Sequence, residues 1–374
     1  MHRSTLIDWL RLAKVPGLGP VRIGLLLRHF HHPGGILSAS AAALDQIPGL
    51  PARVRAGLRQ AGRPEQARDA ASEMERLTAM GIRILARGDP AYPTLLEQIH
   101  DPPVLLFVLG DPAHLVAPRP VAVVGTRSPS GPGLRTARNL AREMAGQGLT
   151  VVSGLAVGID TAAHQGALEG GGTTVAVVAT GLDVDYPRPN QDLKKRILQQ
   201  GCVVTEAPLG TAPAPYLFPP RNRIISGLSR GVVVVEARTC SGSLVTVGQA
   251  LEQGREVFAV PGPADDPRYQ GCHQLLRDGA RLVTGVNDIL EELHWSLGRI
   301  PVASAVQQTS RPPEDTPPQA AAILEQLVNG PMQGDQLARS CRLTVAVLSR
   351  ILLQLELAGV VERAPGNMYS LKGS

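Results

Sequence analysis

The stretch VVSGLAVGIDTAAHQGAL, residues 151–168, decides how this chain folds. A β-branched pair, Val151-Val152, gives way at Ser153-Gly154 to small residues running to Gly158, and Thr161–Glu169 then has the composition of a helix. Strand, glycine-rich turn and helix in that order form the layout that holds a phosphate. Backbone N–H groups point out of a helix N-terminus, and glycine lets an anion approach the chain closely. The turn is neither G-x-G-x-x-G nor a Walker loop, because no Lys follows its last glycine, so an ATPase is disfavoured. Asp160 reads as a cap and dipole partner of the helix, and His164 as a packed helix residue.

Working outward, the same alternation repeats. Apolar β-branched runs occur at Val121–Val124, Thr150–Val152, Val175–Ala179, Cys202–Thr205, Val232–Val235 and Val257–Val260. Helical stretches separate most of them, at Gly133–Gln147, Thr161–Glu169, Asp192–Gln200 and Leu244–Gln253. Strands so uniformly apolar are covered on both faces, which predicts a Rossmann-like, doubly wound, mostly parallel sheet in an α/β fold. This domain is expected over 82–298, with residues 89–111 as a preamble.

Ligands of such sheets sit beyond the carboxyl ends of the strands, so the residues there are the candidates. They are Arg127; the turn Ser153, Gly154, Leu155, Gly158 and Ile159; Lys194 and Lys195; Phe218, Arg221, Asn222 and Arg223; and Ser243. The guanidinium and ammonium groups can make charge-assisted bonds to phosphate oxygens on a common rim. Carboxylates near strand ends are Asp160, Asp183, Asp185, Glu206 and Glu236, but no triad or paired-acid arrangement has recognisable spacing, and no catalytic residue is assigned. Aromatic residues make up 3% of the chain, so a long stacking platform is not expected, with Phe218 and Tyr186 the few able to stack. Nucleic-acid contact would therefore be led by phosphates, tolerant of sequence and strongly dependent on salt.

The flanks differ from the middle. Residues 1–70 hold nine Arg and one Lys against four acids, an excess of +6 that outweighs the +5 of all 374 residues. An anionic partner is indicated, nucleic acid first. Val15-Pro16-Gly17-Leu18-Gly19 and Ile47-Pro48-Gly49-Leu50 form a weak internal repeat resembling the helix-hairpin-helix unit, whose glycine turn can meet DNA phosphates without reading sequence. Weaker DNA contacts are accordingly expected at Gly17, Gly19, Arg22, Gly49 and Arg53, in a helical domain over 1–81. Residues 299–319 carry five prolines and read as a linker. Over 320–374, three short helices, the last with Val347, Leu348, Ile351, Leu352 and Leu355, lead into two strands around a Pro-Gly turn, as in a winged helix. Its partner, DNA or protein, is open. Cys202, Cys240, Cys272 and Cys341 show no pairing or zinc spacing and are expected as buried small hydrophobes; no metal and no cofactor is expected. No signal peptide or membrane span is evident, which predicts a cytoplasmic protein.

The blocks VGTR (124–127), SGLAVGIDTAAH (153–164), GLDVDYPRPN (181–190), FPPRNRIISGLSRGVVVVEA (218–237), SGSLVTVGQALEQGREVFAVPG (241–262) and GCHQLLRDGA (271–280) resemble, in order and spacing, the DNA-processing protein A family, called DprA or Smf. The flanks agree, since many members carry a sterile-alpha-motif-like helical domain before the sheet and a winged helix after it. The resemblance implies a non-enzymatic protein that binds single-stranded DNA on its Rossmann-like domain and forms a homodimer. It further implies a protein that protects incoming DNA and loads the RecA recombinase onto it in natural transformation. The family's DNA pocket maps to Arg127, the turn Ser153–Gly158, and the basic groups near Asn190 and Arg221-Asn222-Arg223. The chain departs from the family at Pro132-Gly133, at His273, and after Asn190, where Gln191 and Asp192 precede the lysines; which of Lys194 or Lys195 serves the pocket stays open. The competing reading is a nucleoside-monophosphate phosphoribohydrolase on the same kind of sheet, with Glu236 as its acid.

Overall fold

A computed structural model describes residues 1–294, 318–328, 332–341, 343–357, 361–364 and 368–371. Six helices come first: α1 (Arg3–Ala13), α2 (Pro20–Phe30), α3 (Pro33–Leu37), α4 (Ala41–Asp45), α5 (Ala52–Ala61) and α6 (Pro64–Ala79). The α1–α2 and α4–α5 turns place Gly17 at φ +79° and Gly49 at φ +73°, a region that side chains disfavour. The sequence repeat is thus a repeat of backbone geometry. The two turns also meet in space, because the Arg53 side chain lies against Gly17. Arg22 donates to the Gly17 carbonyl at 2.7 Å and Arg55 to the Leu50 carbonyl at 3.1 Å, so each turn is braced by an arginine of the helix that follows it.

The sheet is built from β1 (Ile82–Ala86), β2 (Leu105–Gly110), β3 (Pro120–Val124), β4 (Thr150–Ser153), β5 (Thr174–Val177), β6 (Gly201–Thr205), β7 (Gly231–Val234), β8 (Glu256–Ala259) and β9 (Arg281–Leu282). Between them run α7 (Thr94–Glu97), α8 (Gly131–Gly146), α9 (Ile159–Glu169), α10 (Gln191–Gln200), α11 (Phe218–Gly227), α12 (Ser243–Glu252) and α13 (Gln270–Arg277), and α14 (Val286–Glu292) follows β9. Strand order is β1-β2-β6-β5-β4-β3-β7-β8-β9. The pairs from β6 through to β9 are parallel, in register as Val121 opposite Val151 and Ala122 opposite Val232. β1 and β2 add antiparallel at one edge. All six expected strands form, and the fold is the mostly parallel α/β sheet that their two-sided apolarity requires.

The helical half is not a separate body. Leu10, Leu12, Leu58 and Leu77 share one core with Phe107, Ile197 and Val203, and helices and sheet fall within one compact unit. Each of these buried side chains contributes about 1.5–3 kcal/mol relative to exposure, so the joint between helices and sheet is itself a packed core. Within the sheet, β7 carries Val232 and Val234 on the face of α11 and α12, while Val233 packs on the face of α8 and α9.

Helices α15 (Pro318–Val328), α16 (Gly334–Ser340) and α17 (Val345–Leu357) accompany a three-stranded antiparallel sheet of β10 (Met332–Gln333), β11 (Val361–Ala364) and β12 (Met368–Leu371), in the order β10-β12-β11. Leu348, Ile351, Leu352 and Leu355 of α17 are buried, as the apolar stripe requires, and β10 adds a strand beyond the expected two. The winged helix is thereby formed. Of the expected linker, residues 299–317 lie outside the described residues, as does the Pro-Gly turn at 365–366; Pro318 and Gln319 belong to α15.

The cysteine expectation needs correction. Cys202 and Cys272 are buried, and desolvation pushes their thiols up to about 12 and about 11, but Cys240 is exposed on the loop before α12 and Cys341 is only partly covered. No helix among the described residues is long and apolar enough to cross a membrane.

His164 joins α9 to the sheet. Thr174 Oγ1 donates to the Val151 carbonyl at 2.8 Å, so it accepts from His164 Nδ1 at 2.7 Å, which fixes a neutral ring with its proton on Nδ1. Burial, with the charge of Arg221 adding to it, lowers the ring's pKa to about 3. A depressed histidine pKa means the unfolded chain binds the proton first, so stability falls as pH drops below the unfolded value near 6.5. Urea denaturation is expected to show about 3 kcal/mol lost between pH 8 and 4.5 from this residue. The loss should be largely absent in His164→Asn; an unchanged pH profile in that variant would contradict the assignment.

Candidate nucleic-acid interface

Strand order reverses at β3, which has β4 on one side and β7 on the other, and a doubly wound sheet opens a crevice at such a point. A cavity of about 700 Å³ occupies it, bounded by Val124–Arg127 at the end of β3, Ala156 and Asp160 after β4, Tyr186, Pro213–Pro215, the start of α11 at Phe218, Pro219, Arg221 and Asn222, and Ser241–Ser243 with Val245 and Thr246 at the start of α12. Helices α11 and α12 both begin at its wall, so their positive ends favour an anion inside. Pro219 and Pro220 stand in the first turn of α11 and supply no N–H to it.

Its inner wall is organised by Arg221. The residue is buried, and its guanidinium donates through Nη1 to the Gly154 carbonyl at 2.7 Å and to the Val177 carbonyl. Nε donates to Asn222 Oδ1 at 3.2 Å. Burial pushes its pKa down to about 10, opposed by the Asp160 carboxylate, and it stays charged at neutral pH. Asp160 accepts from the Gly154 and Ala156 amides at 3.1 and 3.3 Å. Burial raises its pKa, while Arg221 and these amides pull the other way. A Cβ at Gly154 would lie 2.8 Å from both the Arg221 and the Asp160 side chains, which is why glycine stands there. The turn does hold an anion at its amides, and that anion is the protein's own carboxylate. The expectation that these amides cradle a ligand phosphate is corrected in this respect.

The outer wall is Arg127 and two rings. The Arg127 guanidinium lies over the Phe218 ring, 4.8 Å from its centroid, with Arg221 at 5.8 Å. Tyr186 stands 6.0 Å from Phe218, ring to ring, tilted by 45°. Arg127 is exposed and forms no ion pair among the described residues. It is a cation held in place by a ring, with its donors free for an anion.

Of the residues singled out in the sequence, Arg127, Phe218, Arg221, Asn222 and Ser243 line this cavity, and Gly154 lines its inner recess. Ser153 is buried and donates its hydroxyl to the Val123 carbonyl at 2.7 Å. Leu155 is buried at φ +56°, Gly158 shapes the turn at φ +92°, and Ile159 is buried against Gly125. Lys194 bonds the Leu182 carbonyl at 2.8 Å and reaches Asp185 at 3.4 Å, while Lys195 pairs with Asp192 at 3.0 Å; neither lines the cavity. Arg223 faces away, paired with Glu206 at 2.6 Å and Asp101 at 3.0 Å. In the helical half, Arg22 is spent on the Gly17 carbonyl and Arg53 rests on Gly17; Gly19 caps α2 and Gly49 shapes the second turn. Glu236 is buried, with both oxygens bound by Ser130 at the start of α8, and does not line the cavity. Sequence reasoning missed Thr126 and the 213–215 loop. Thr126 stood beside Arg127 at a strand end and was findable, whereas Pro213-Ala214-Pro215 carries no chemical signal.

Residues 83–294 match the family described as DNA recombination-mediator protein A, and residues 307–367 match the DprA winged helix domain. Protein Smf of Synechocystis sp. is 34% identical over 99% of both chains. DNA processing protein DprA of Streptococcus pneumoniae is 47% identical over 55% of this chain and 73% of its own. The X-ray structure of the S. pneumoniae DprA superposes with a TM-score of 0.61 at 36% identity, covering 78% of this chain and 98% of that one. A Helicobacter pylori DprA structure, described for its unique single-stranded DNA binding mode, gives 0.52 at 29% identity over 57% of this chain and 95% of that one. The chain belongs to the DprA/Smf family of DNA recombination-mediator proteins.

Proposed function

We propose that the chain binds single-stranded DNA through its phosphates at the β3/β7 crevice and, as a cytoplasmic homodimer, protects incoming DNA and loads RecA onto it in natural transformation. The observation that carries the DNA reading is the Arg127–Phe218–Arg221 stack. It sets one exposed cation, Arg127, over an aromatic face at the mouth of a cavity whose inner wall carries the buried charge of Arg221 and which two helix N-termini also make favourable to anions. The H. pylori relative described as binding single-stranded DNA supports the strand preference. The RecA and dimer parts rest on family membership. Glu236, the acid that a phosphoribohydrolase would need, is committed to Ser130 inside the protein, so the geometry favours a binding role over that reaction.

Arg127→Ala removes a charge-assisted phosphate contact and the cover of Phe218, together about 3 kcal/mol, or roughly a hundredfold in affinity. A fluorescence-anisotropy titration against single-stranded oligothymidylate should show that loss, and a log–log salt plot shallower by about 0.7. Undiminished binding by the variant would remove the pocket from the proposal. Lys195→Ala, by contrast, is expected to bind as the parent does.

Arg223→Ala separates the roles of the two neighbouring arginines. It strands Glu206 without its partner at a cost of about 2 kcal/mol, less than for a wholly buried pair because both carboxylates keep some solvent. The urea midpoint should fall while affinity for DNA at 25 °C is retained. A variant of parental stability that has lost binding would instead put Arg223 on the strand.

A further inference from the structure

A second groove lies in the helical half of the first unit, away from the sheet's switch point. It has about 740 Å³, as large as the crevice at β3/β7, and runs between α2–α3 and the segment that follows β1. Arg28, His31 and His32 line it from the helices, Arg87 and His100 from the other side, and Glu97 is the one carboxylate side chain in its lining. We propose that this groove is a second site for the phosphates of a single DNA strand, distinct from the glycine turns of the hairpins. The proposal rests on DNA being the ligand of the first cavity, which supplies the same strand to both.

Charge is the first argument. Elsewhere in the helical half several cations are spent: Arg3 on Glu75, Arg11 on Asp8, Lys14 on Glu73 and Arg55 on Asp45. Arg28 and Arg87 form no ion pair among the described residues, so one cation of the +6 excess of residues 1–70 and one from beyond it face a groove whose only lining carboxylate, Glu97, pairs with neither. The Arg87 guanidinium reaches across to α2 beside Gly24, where a Cβ would make ordinary contact with it at 3.5 Å.

The backbone gives the second. Helix α2 ends in His31, its C-cap at φ +64°, which turns the chain so that His31 and His32 both reach the groove. His32 follows, and its Nδ1 accepts the Gly35 amide at 3.0 Å to cap α3. With Nδ1 accepting, the ring proton sits on Nε2, so His32 offers the groove a fixed donor. Two free guanidiniums and a fixed N–H donor suit phosphate oxygens. Among the described residues no group of three or more metal-ligating side chains comes together, so the histidines are read here as donors to an anion.

The full chain should be titrated with a short oligothymidylate that fills one site and with a long one that spans both. In Arg28→Ala/Arg87→Ala, short-oligomer affinity should stay at the parental value. Long-oligomer affinity should fall about tenfold or more, with a salt slope shallower by about 1.4 for two lost phosphate contacts. Arg127→Ala should keep a residual long-oligomer affinity that the triple variant loses, and Arg28→Lys/Arg87→Lys should restore most of the slope, which separates charge from folding. Parental long-oligomer binding by the double alanine variant overturns the proposal. So does equal loss on short and long oligomers, or displacement of the long strand from the Arg127→Ala protein by polyglutamate as readily as by oligothymidylate. If Arg127→Ala leaves short-oligomer binding intact, the first-cavity reading fails, and the groove is judged on the long oligomer alone.

Discussion

A guanidinium buried in a β-sheet protein needs a reason, because removing a cation from water costs several kcal/mol unless its donors are matched. Arg221 is matched by the carbonyls of Gly154 and Val177, the amide oxygen of Asn222 and the nearby charge of Asp160. Those carbonyls belong to the ends of β4 and β5, so one side chain of α11 ties two strand ends to the helix that carries Phe218. Asp160 in turn takes the amides of the turn after β4 and fixes its path. Loss of the Arg221 charge would leave Asp160 buried without a counter-ion, and the turn, the aromatic ring and the perch of Arg127 would lose their common reference point.

That arrangement explains why the turn could be found in the sequence while its occupant could not. Glycine at 154 and 158 and an acid at 160 suggest an anion at the start of α9, but Asp160, read as a cap of that helix, instead takes the Gly154 and Ala156 amides of the loop before it. The distinction between a ligand's phosphate and a carboxylate six residues along depends on the closeness of Asp160 to Gly154, which no spacing rule encodes. The sheet was more legible, because a run such as Val232-Val233-Val234 is apolar on both faces and admits few other uses. β1 and β2 escaped notice for a physical reason. They add antiparallel at an edge, β2 following Pro102-Pro103, outside the strand–helix alternation that reveals the others.

The basic residues show the same limit. Arg127, Arg221, Arg223, Lys194 and Lys195 look alike in the sequence, all near strand ends. The fold spends Arg223 on Glu206 and Asp101, Lys195 on Asp192, and Arg221 on backbone carbonyls, leaving Arg127 exposed over a ring. A count of cations near a site thus overstates the charge it can offer, by as many as have found a partner within the protein. The same holds in the helical half, where Arg3 and Lys14 are paired with Glu75 and Glu73 and Arg11 and Arg55 with acids of their own segment.

Helix α11 opens with Pro219-Pro220, so the helix end nearest the ring has two amide hydrogens fewer than an ordinary one. Directional donors fix where an anion is held, and beside this ring they come from the Arg127 guanidinium and not from the first amides of α11. The ring belongs to α11 and the cation to the end of β3, so the two make one surface only while the fold keeps helix and strand end together.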